Sequence, residues 1–466
     1  MYEDLADFSV KQLEKLGVSY AEARLEEIKG SGYILKNGNM DISGFDKSAG
    51  LGVRFIANGT MGFFSINDLK KDKISSLIKR SFNLTKNASR IGDKVKFSEE
   101  KSVNAKYEIK QKIKVENLNP DEKIKFLLEI DKEINKKYFR YFALHDDITK
   151  TYYINNEGSK INSTIPRVSF YYFLTVLMNN KSMQRYLPYG NTGGWEVVKK
   201  WNLKDNLLSE IKALENIIKN GVKPPKGKID VVIGPEVTGI ATHESVGHPY
   251  EADRILGREA AQAGESFVNL KMIGDKIGSE IVNLVDDPVL EGSNGFYLYD
   301  DEGVKARRKI LIKNGKINEF LHNRETAAEL NVKSNAASRA SDYNKEPLIR
   351  MSNTFVLPGD YKDEELFKDI KLGVYIKNFM EWNIDDKRFQ QKYTGAEAYL
   401  IENGNVTKPV INPVLEITTP ALWSSVDAIG KKIEFSAGSC GKGEPMQGIP
   451  VWFGGPHMRL RNIIMK

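Results

Sequence analysis

Apolar and polar positions in the first 220 residues alternate between two rhythms. Glu3 to Leu16 reads as an amphipathic helix. The stretches YAEARLEEI, SGYILKNGNMDISG and GLGVRFIANGTMGFFS then read as short strands. The Lys36-Asn37-Gly38-Asn39 and Ala57-Asn58-Gly59-Thr60 steps are hairpin signals, because Asn-Gly accepts the positive φ of a tight turn. From about Asn67, Leu69, Ile74, Leu77 and Ile78 recur at helical spacing. A polar, Lys-rich stretch near residues 94–115 reads as a connection.

A second unit opens at Asn119-Pro120, which suit an N-cap and a first helical position. Its helix runs to about Lys136 with Ile124, Leu127, Leu128 and Ile130 inward. The strands RYFALHDDI, TYYINNEG and RVSFYYFLTVLM follow, and a helix from Leu203 to Lys219 closes the unit. Both units read helix, strands, helix, a hint of structural duplication although the residues themselves do not repeat.

Between Gly221 and Lys228, two prolines flanked by Gly and Lys end one element and begin another. A buried strand pattern, IDVVIGPE, comes next, then one helix, then short strands and turns rich in Gly and Pro. The expected fold is α+β: two N-terminal helix and antiparallel-sheet units over residues 1–95 and 105–221, then a mostly antiparallel β domain over 228–466 that carries one metal-binding helix.

Composition narrows the function classes. Across 466 residues, 69 basic and 62 acidic side chains leave a net charge of +7. That excess is small and scattered, unlike the concentrated basic patch of a nucleic-acid binder, so direct DNA contact is not expected. No window approaches the ~20 uninterrupted apolar residues of a membrane span. The acidic, amphipathic N-terminus lacks the plan of a signal peptide, which implies a cytoplasmic location. A single cysteine excludes an internal disulfide framework.

The helix after IDVVIGPE carries the chemistry: His243-Glu244-Ser245-Val246-Gly247-His248. Neutral imidazoles suit zinc, and a carboxylate beside the first histidine can take a proton from a metal-activated water. The two histidines are five residues apart, so on a regular helix at ~100° per residue their rings would diverge by about 140°. They can share one ion only if the helix is widened, and a π-type bulge does this. Gly247 and Pro249 flank the second histidine and both disturb regular helix, which predicts a distorted turn across residues 243–248. Two of the five histidines of the chain fall in this turn.

A catalytic zinc needs a third protein ligand. His145, His322, His457 and many acids qualify by chemistry. His145 reads as a structural strand residue and His322 as a turn or surface residue. Cys440 stands out, flanked by glycines in Gly438-Ser-Cys440-Gly, a setting that predicts tight, irregular backbone. Lys442, two residues on, would favour its thiolate. Glu251 and Asp253 follow His248 closely enough to anchor a ligand imidazole.

HESVGHPYEAD resembles the HExxxH signature of the TldD/PmbA family, whose catalytic subunits are zinc peptidases. Further resemblance runs through DDPVLEGSNGFYLYDDEG, IRMSNTFVLPGD, TGAEAYLIENGNVTKPV, SSVDAIG and GSCGKGEPMQGIPVWFGGPHMRL, with TGGWE in the second unit. It implies zinc held by His243, His248 and Cys440, with Glu244 as general base. The implied reaction is hydrolysis of unfolded or extended peptides. The implied assembly is a homodimer, or a heterodimer with a metal-free paralogue. The family also contains partner subunits without the ligands, so the alternative is a non-catalytic scaffold subunit; all four residues are retained here. One departure shows. Where many members have a Gly-rich turn before TGAEAYLIENG, this chain has NFMEWNIDDKRFQ, from Asn378 to Gln390.

Overall fold

Two Asn-Gly turns shape the N-terminal meander. Asn37 and Gly38 have φ of 50° and 83°, Asn58 and Gly59 of 52° and 78°, the paired positive values that a two-residue hairpin of this kind requires. The turns join β1 (Tyr20–Lys36), β2 (Asn39–Ala57) and β3 (Thr60–Ile66). In the computed structural model, which describes residues 2–259 and 264–465, α1 (Glu3–Lys15) and α2 (Lys71–Ala88) cover this meander. Leu5, Val10, Leu13, Ile74 and Ile78 seal one core against Leu25, Val53 and Phe55.

After β4 (Asn104–Glu108), the second unit begins as expected at Asn119. The Asn119 side chain accepts from the Asp121 N–H at 3.0 Å, and the Glu122 carboxylate accepts from the Asn119 N–H at 3.3 Å. This capping box starts α3 (Pro120–Lys132). A second meander follows: β5 (Phe139–Asn155), β6 (Lys160–Met178) and β7 (Lys181–Thr192), then α4 (Glu196–Lys200) and α5 (Leu203–Asn220). Leu127, Ile130, Phe142, Leu207, Ile211 and Leu214 belong to its own core.

The strands run longer than the sequence reading expects: YAEARLEEI continues through SGYILK as β1, and NMDISG runs on into GLGVRFIA as β2. RYFALHDDI and TYYINNEG form one continuous strand, β5. The polar run through Asp146, Asp147 and Thr149 looks like a break, but its backbone pairs with β1 on one edge and β6 on the other.

The two units share one sheet. β1 pairs antiparallel with β5 from Glu22 opposite Asn155 to Lys36 opposite Tyr141. The strand order is β3-β2-β1-β5-β6, with β7 and β4 against β6. Each meander alone would leave a long edge strand with unpaired backbone groups, and this junction pairs both edges.

The remaining chain builds on β8 (Gly227–Ile233), whose inner residues Val231, Val232 and Ile233 are fully buried. It sits inside a six-stranded sheet, between Leu372–Ile376 and Met458–Met465. A second six-stranded sheet contains Leu284–Asp286, Asn353–Val356, Gln447–Gly455 and Glu434–Lys442. α6 (Pro235–Thr242) leaves the end of β8 and lies against that second sheet. Contact there is close: a Cβ on Gly239 would stand 2.7 Å from the Gly454 nitrogen. No helix among the described residues is long and apolar enough to cross a membrane.

A buried His-His-Cys centre

Pro235 at the first helical position starts α6, and Val237, Ile240 and Ala241 bury it in the largest core of the molecule. The helix then widens into a π turn over His243–Gly247 and tightens into a 3-10 turn over His248–Tyr250. A π turn closes after about five residues, so His243 and His248 come onto one side, with ring centroids 5.0 Å apart. Hydroxyls support the distortion. Thr242 donates to the Thr238 carbonyl at 2.7 Å and Ser245 to the Ala241 carbonyl at 2.6 Å, a pattern that bends helices. The Trp423 indole N–H donates to the Ser245 oxygen at 3.0 Å.

Cys440 arrives from the second sheet. It lies in the regular strand Glu434–Lys442, opposite Ile449, and not in the irregular backbone its glycine neighbours suggest. The flanking glycines are accommodated in a paired strand because its hairpin partner supplies the ladder. The Cys440 Sγ is 3.4 Å from His248 Nε2, and the three donor atoms of His243, His248 and Cys440 lie within 4.8 Å of one another. All three side chains are buried.

Neighbours set the orientation of each ring. His248 Nδ1 is 3.2 Å from the Glu251 carboxylate, which turns Nε2 toward the thiol. His243 Nδ1 is 3.4 Å from the Thr354 hydroxyl. Burial alone would raise the Cys440 thiol, but His248, His243 and Arg350 outweigh it and hold the thiol well below its ordinary range. Burial alone would lower His248, but Cys440 and Glu251 outweigh it and push the imidazole up to about 9. The Arg350 guanidinium also donates to the Cys440 carbonyl.

Behind His248 is a buried charge cluster. Lys442 Nζ is 2.8 Å from both Asp253 oxygens, 3.2 Å from Glu251 and 3.5 Å from Glu259. Arg254 lies 3.6 Å from Glu251. Lys442 therefore faces this acidic group, and Arg350 is the fixed cation bearing on the thiol. Of the two suspected anchors, Glu251 touches His248, and Asp253 instead holds Lys442.

Glu244, beside His243 in the π turn, is buried and its carboxylate accepts from the Arg388 guanidinium. Sequence reasoning missed Thr354, Arg350 and Arg388. Thr354 and Arg350 lie within the string IRMSNTFVLPGD, and Arg388 lies within the departure noted between Asn378 and Gln390.

The other histidines stand apart from the donor group found among the described residues. His145 is exposed in β5. His457 meets the Tyr375 hydroxyl at 2.9 Å and Asp363 at 3.4 Å. His322 is buried rather than at the surface, 3.2 Å from the Thr326 hydroxyl.

Burial pushes His322 down to about 4 from its ordinary 6.5. A depressed base binds its proton in the unfolded chain first. Stability from the neutral ring is therefore complete above pH 6.5 and falls as pH drops toward 4, by about 3 kcal/mol. Urea unfolding of the wild type and His322→Gln across this range checks it: the difference in stability shrinks by that amount as pH falls. A constant difference refutes it.

The donor set suits zinc. At Zn–N of about 2.0–2.1 Å and Zn–S of about 2.3 Å, tetrahedral ligands lie about 3.3–3.6 Å apart, and the Cys440 to His248 separation of 3.4 Å meets this. Two nitrogens and a thiol, with no fourth protein donor grouped with them among the described residues, match an open site rather than a closed structural one.

Residues 21–85, 113–220 and 226–466 match, in turn, domain 1, the central domain and the C-terminal domain of the PmbA/TldA metallopeptidases. A metalloprotease of Methanocaldococcus jannaschii is 32% identical, covering 97% of each chain. A protein of Saccharolobus solfataricus named zinc metalloprotease TldD homolog is 26% identical over 97% of this chain and 98% of its own. The crystal structure of TldE from Thermococcus kodakarensis superposes with a TM-score of 0.74 at 15% identity, covering 99% of both chains, a likeness of fold. With all three domains matched in order and a relative aligned end to end, this chain belongs to the PmbA/TldD metallopeptidase family.

Proposed function

We propose that this chain is a zinc-dependent peptidase that hydrolyses unfolded or extended peptides, with Glu244 as general base. The observation that carries the reading is the convergence of His243, His248 and Cys440, with Glu244 next to the first ligand in the same π turn. Zinc held there supplies Lewis-acid activation of a water and polarises the scissile carbonyl. The side chains do the rest. Glu251 and Thr354 orient the two imidazoles. Glu244 receives the proton of the attacking water and passes it to the leaving amine.

Support for an extended substrate comes from the mostly antiparallel β surroundings of the site. Strands of this kind can take a peptide chain by main-chain contacts, with little demand on sequence. On this reading the protein works in the cytoplasm as a dimer, of two copies or with a metal-free paralogue.

Cleavage of a fluorescence-quenched unstructured peptide by wild type and Glu244→Gln, with zinc measured on both, tests the proposal. The variant keeps its zinc and loses about 10²–10⁴-fold in kcat. Equal kcat removes Glu244 from its role. Substoichiometric zinc in the gently purified wild type favours the scaffold alternative.

A further inference from the structure

Arg388 occupies an uncommon place for its residue type. It stands in the tip between strands Phe379–Ile384 and Gln390–Gly395, with a left-handed φ of +63°. Residues other than glycine and asparagine rarely adopt that conformation. The surrounding structure enforces it. The Asp385 carboxylate accepts from the Phe389 and Gln390 N–H groups at 2.7 and 3.1 Å. The Thr419 hydroxyl donates to the Arg388 carbonyl at 2.8 Å, and the Phe267 N–H donates to the Lys387 carbonyl at 2.9 Å. Phe389 packs edge-on against Phe267 at 5.7 Å. A turn braced on three sides, and strained at the one residue that enters the site, is the pattern expected where strain serves function.

That residue reaches the Glu244 carboxylate oxygen Oε2 from 144 positions away. Both partners are buried, with relative exposures of 5% for Arg388 and 7% for Glu244. A guanidinium is a planar fork that fixes a carboxylate's direction as well as its charge, which a flexible ammonium does not do.

We propose that Arg388 is a positioning residue for the general base: its guanidinium holds Glu244 in the rotamer from which the carboxylate meets the attacking water. The inference rests on the peptidase reading above and deepens it.

The test compares Arg388→Gly, Arg388→Lys and wild type on the fluorescence-quenched peptide, with zinc content and thermal unfolding recorded for each. Glycine removes the guanidinium and relieves the left-handed backbone at once. Expected for Arg388→Gly are full zinc occupancy, KM within about threefold, and kcat lower by about 10–100-fold, the scale of a misplaced reacting group. Arg388→Lys recovers part of that loss, because it restores the charge without the fork. Wild-type or higher kcat in Arg388→Gly overturns the inference, and so does a loss confined to KM. Should Arg388→Gly fail to fold, Arg388→Lys decides: reduced kcat at unchanged KM supports positioning, and wild-type kcat refutes it. Glu244→Gln separates the two readings. If it stays active, the general-base assignment falls. If it is inactive while Arg388→Gly matches wild type, only the role of Arg388 falls.

Discussion

Replacing Lys442 by methionine is expected to cost about 3–5 kcal/mol of stability, because it strips a buried ammonium from carboxylates that cannot reach water. Glu251 and Glu259 are buried, and Lys442 is within 3.5 Å of both as well as clasping Asp253. Arg254 also faces these acids, and its distances of 3.6 and 3.8 Å to Glu251 and Glu259 are longer than those of Lys442 to the same carboxylates. Burial would lower Lys442, but Asp253, Glu251 and Glu259 outweigh it and raise the ammonium above its ordinary value. A raised base contributes its stability fully below its unfolded pKa, so the whole effect is present at neutral pH.

The loss should extend to the metal. Lys442 lies on the strand of Cys440 and pairs with Glu251, which orients His248, so one ammonium ties the two halves of the site together. Outer partners of this kind typically contribute about 10–100-fold in metal affinity. Urea unfolding at neutral pH, with zinc retention after dialysis against a chelator, measures both. A Lys442→Met variant as stable as wild type would show that the cluster does not depend on its ammonium.

Gly247→Ala is expected to destabilise by about 3 kcal/mol and to scatter the metal ligands. The new Cβ would stand 1.9 Å from Met351 Sδ, far inside any contact distance. Met351 is completely buried in the main core, so its flexible side chain can move aside only by repacking against its core neighbours. The strain then falls on the π turn, and His248 is the next residue. Thermal unfolding and zinc content report the damage. Met351→Ala in the same chain opens space, so the double variant should regain part of both losses, as a double-mutant cycle resolves. Wild-type zinc affinity in Gly247→Ala would refute the clash as the controlling contact.

Much of the fold was legible locally. The Asn37-Gly38 and Asn58-Gly59 turns follow from the backbone freedom of those two residue types. The capping box at Asn119 and the proline start of α6 are likewise written in adjacent residues. Even the π turn was legible, since histidines five apart beside Gly247 and Pro249 fit no regular helix that brings both rings together.

Other features were not legible because they depend on partners distant in the chain. The polar middle of β5 is held as strand by neighbours on both edges. His322 is buried by packing that no property of KINEFLHNRETAAEL announces. Lys442 near Cys440 suggested support for a thiolate, yet three acids compete for it, and two of them, Glu251 and Asp253, descend from the other ligand-bearing segment.

The order of residues by itself pointed to the longer helices, the tight turns, the widened turn and the two histidines as candidate ligands, with Cys440 added by resemblance, because backbone preference and donor chemistry are properties of neighbouring residues. Only the tertiary structure decided that the two N-terminal meanders share one sheet, that Cys440 meets His248, and that Arg388 meets Glu244. Those outcomes turn on which edges must be paired and which charges must be buried together, and a contact across 144 or 192 positions leaves no local trace.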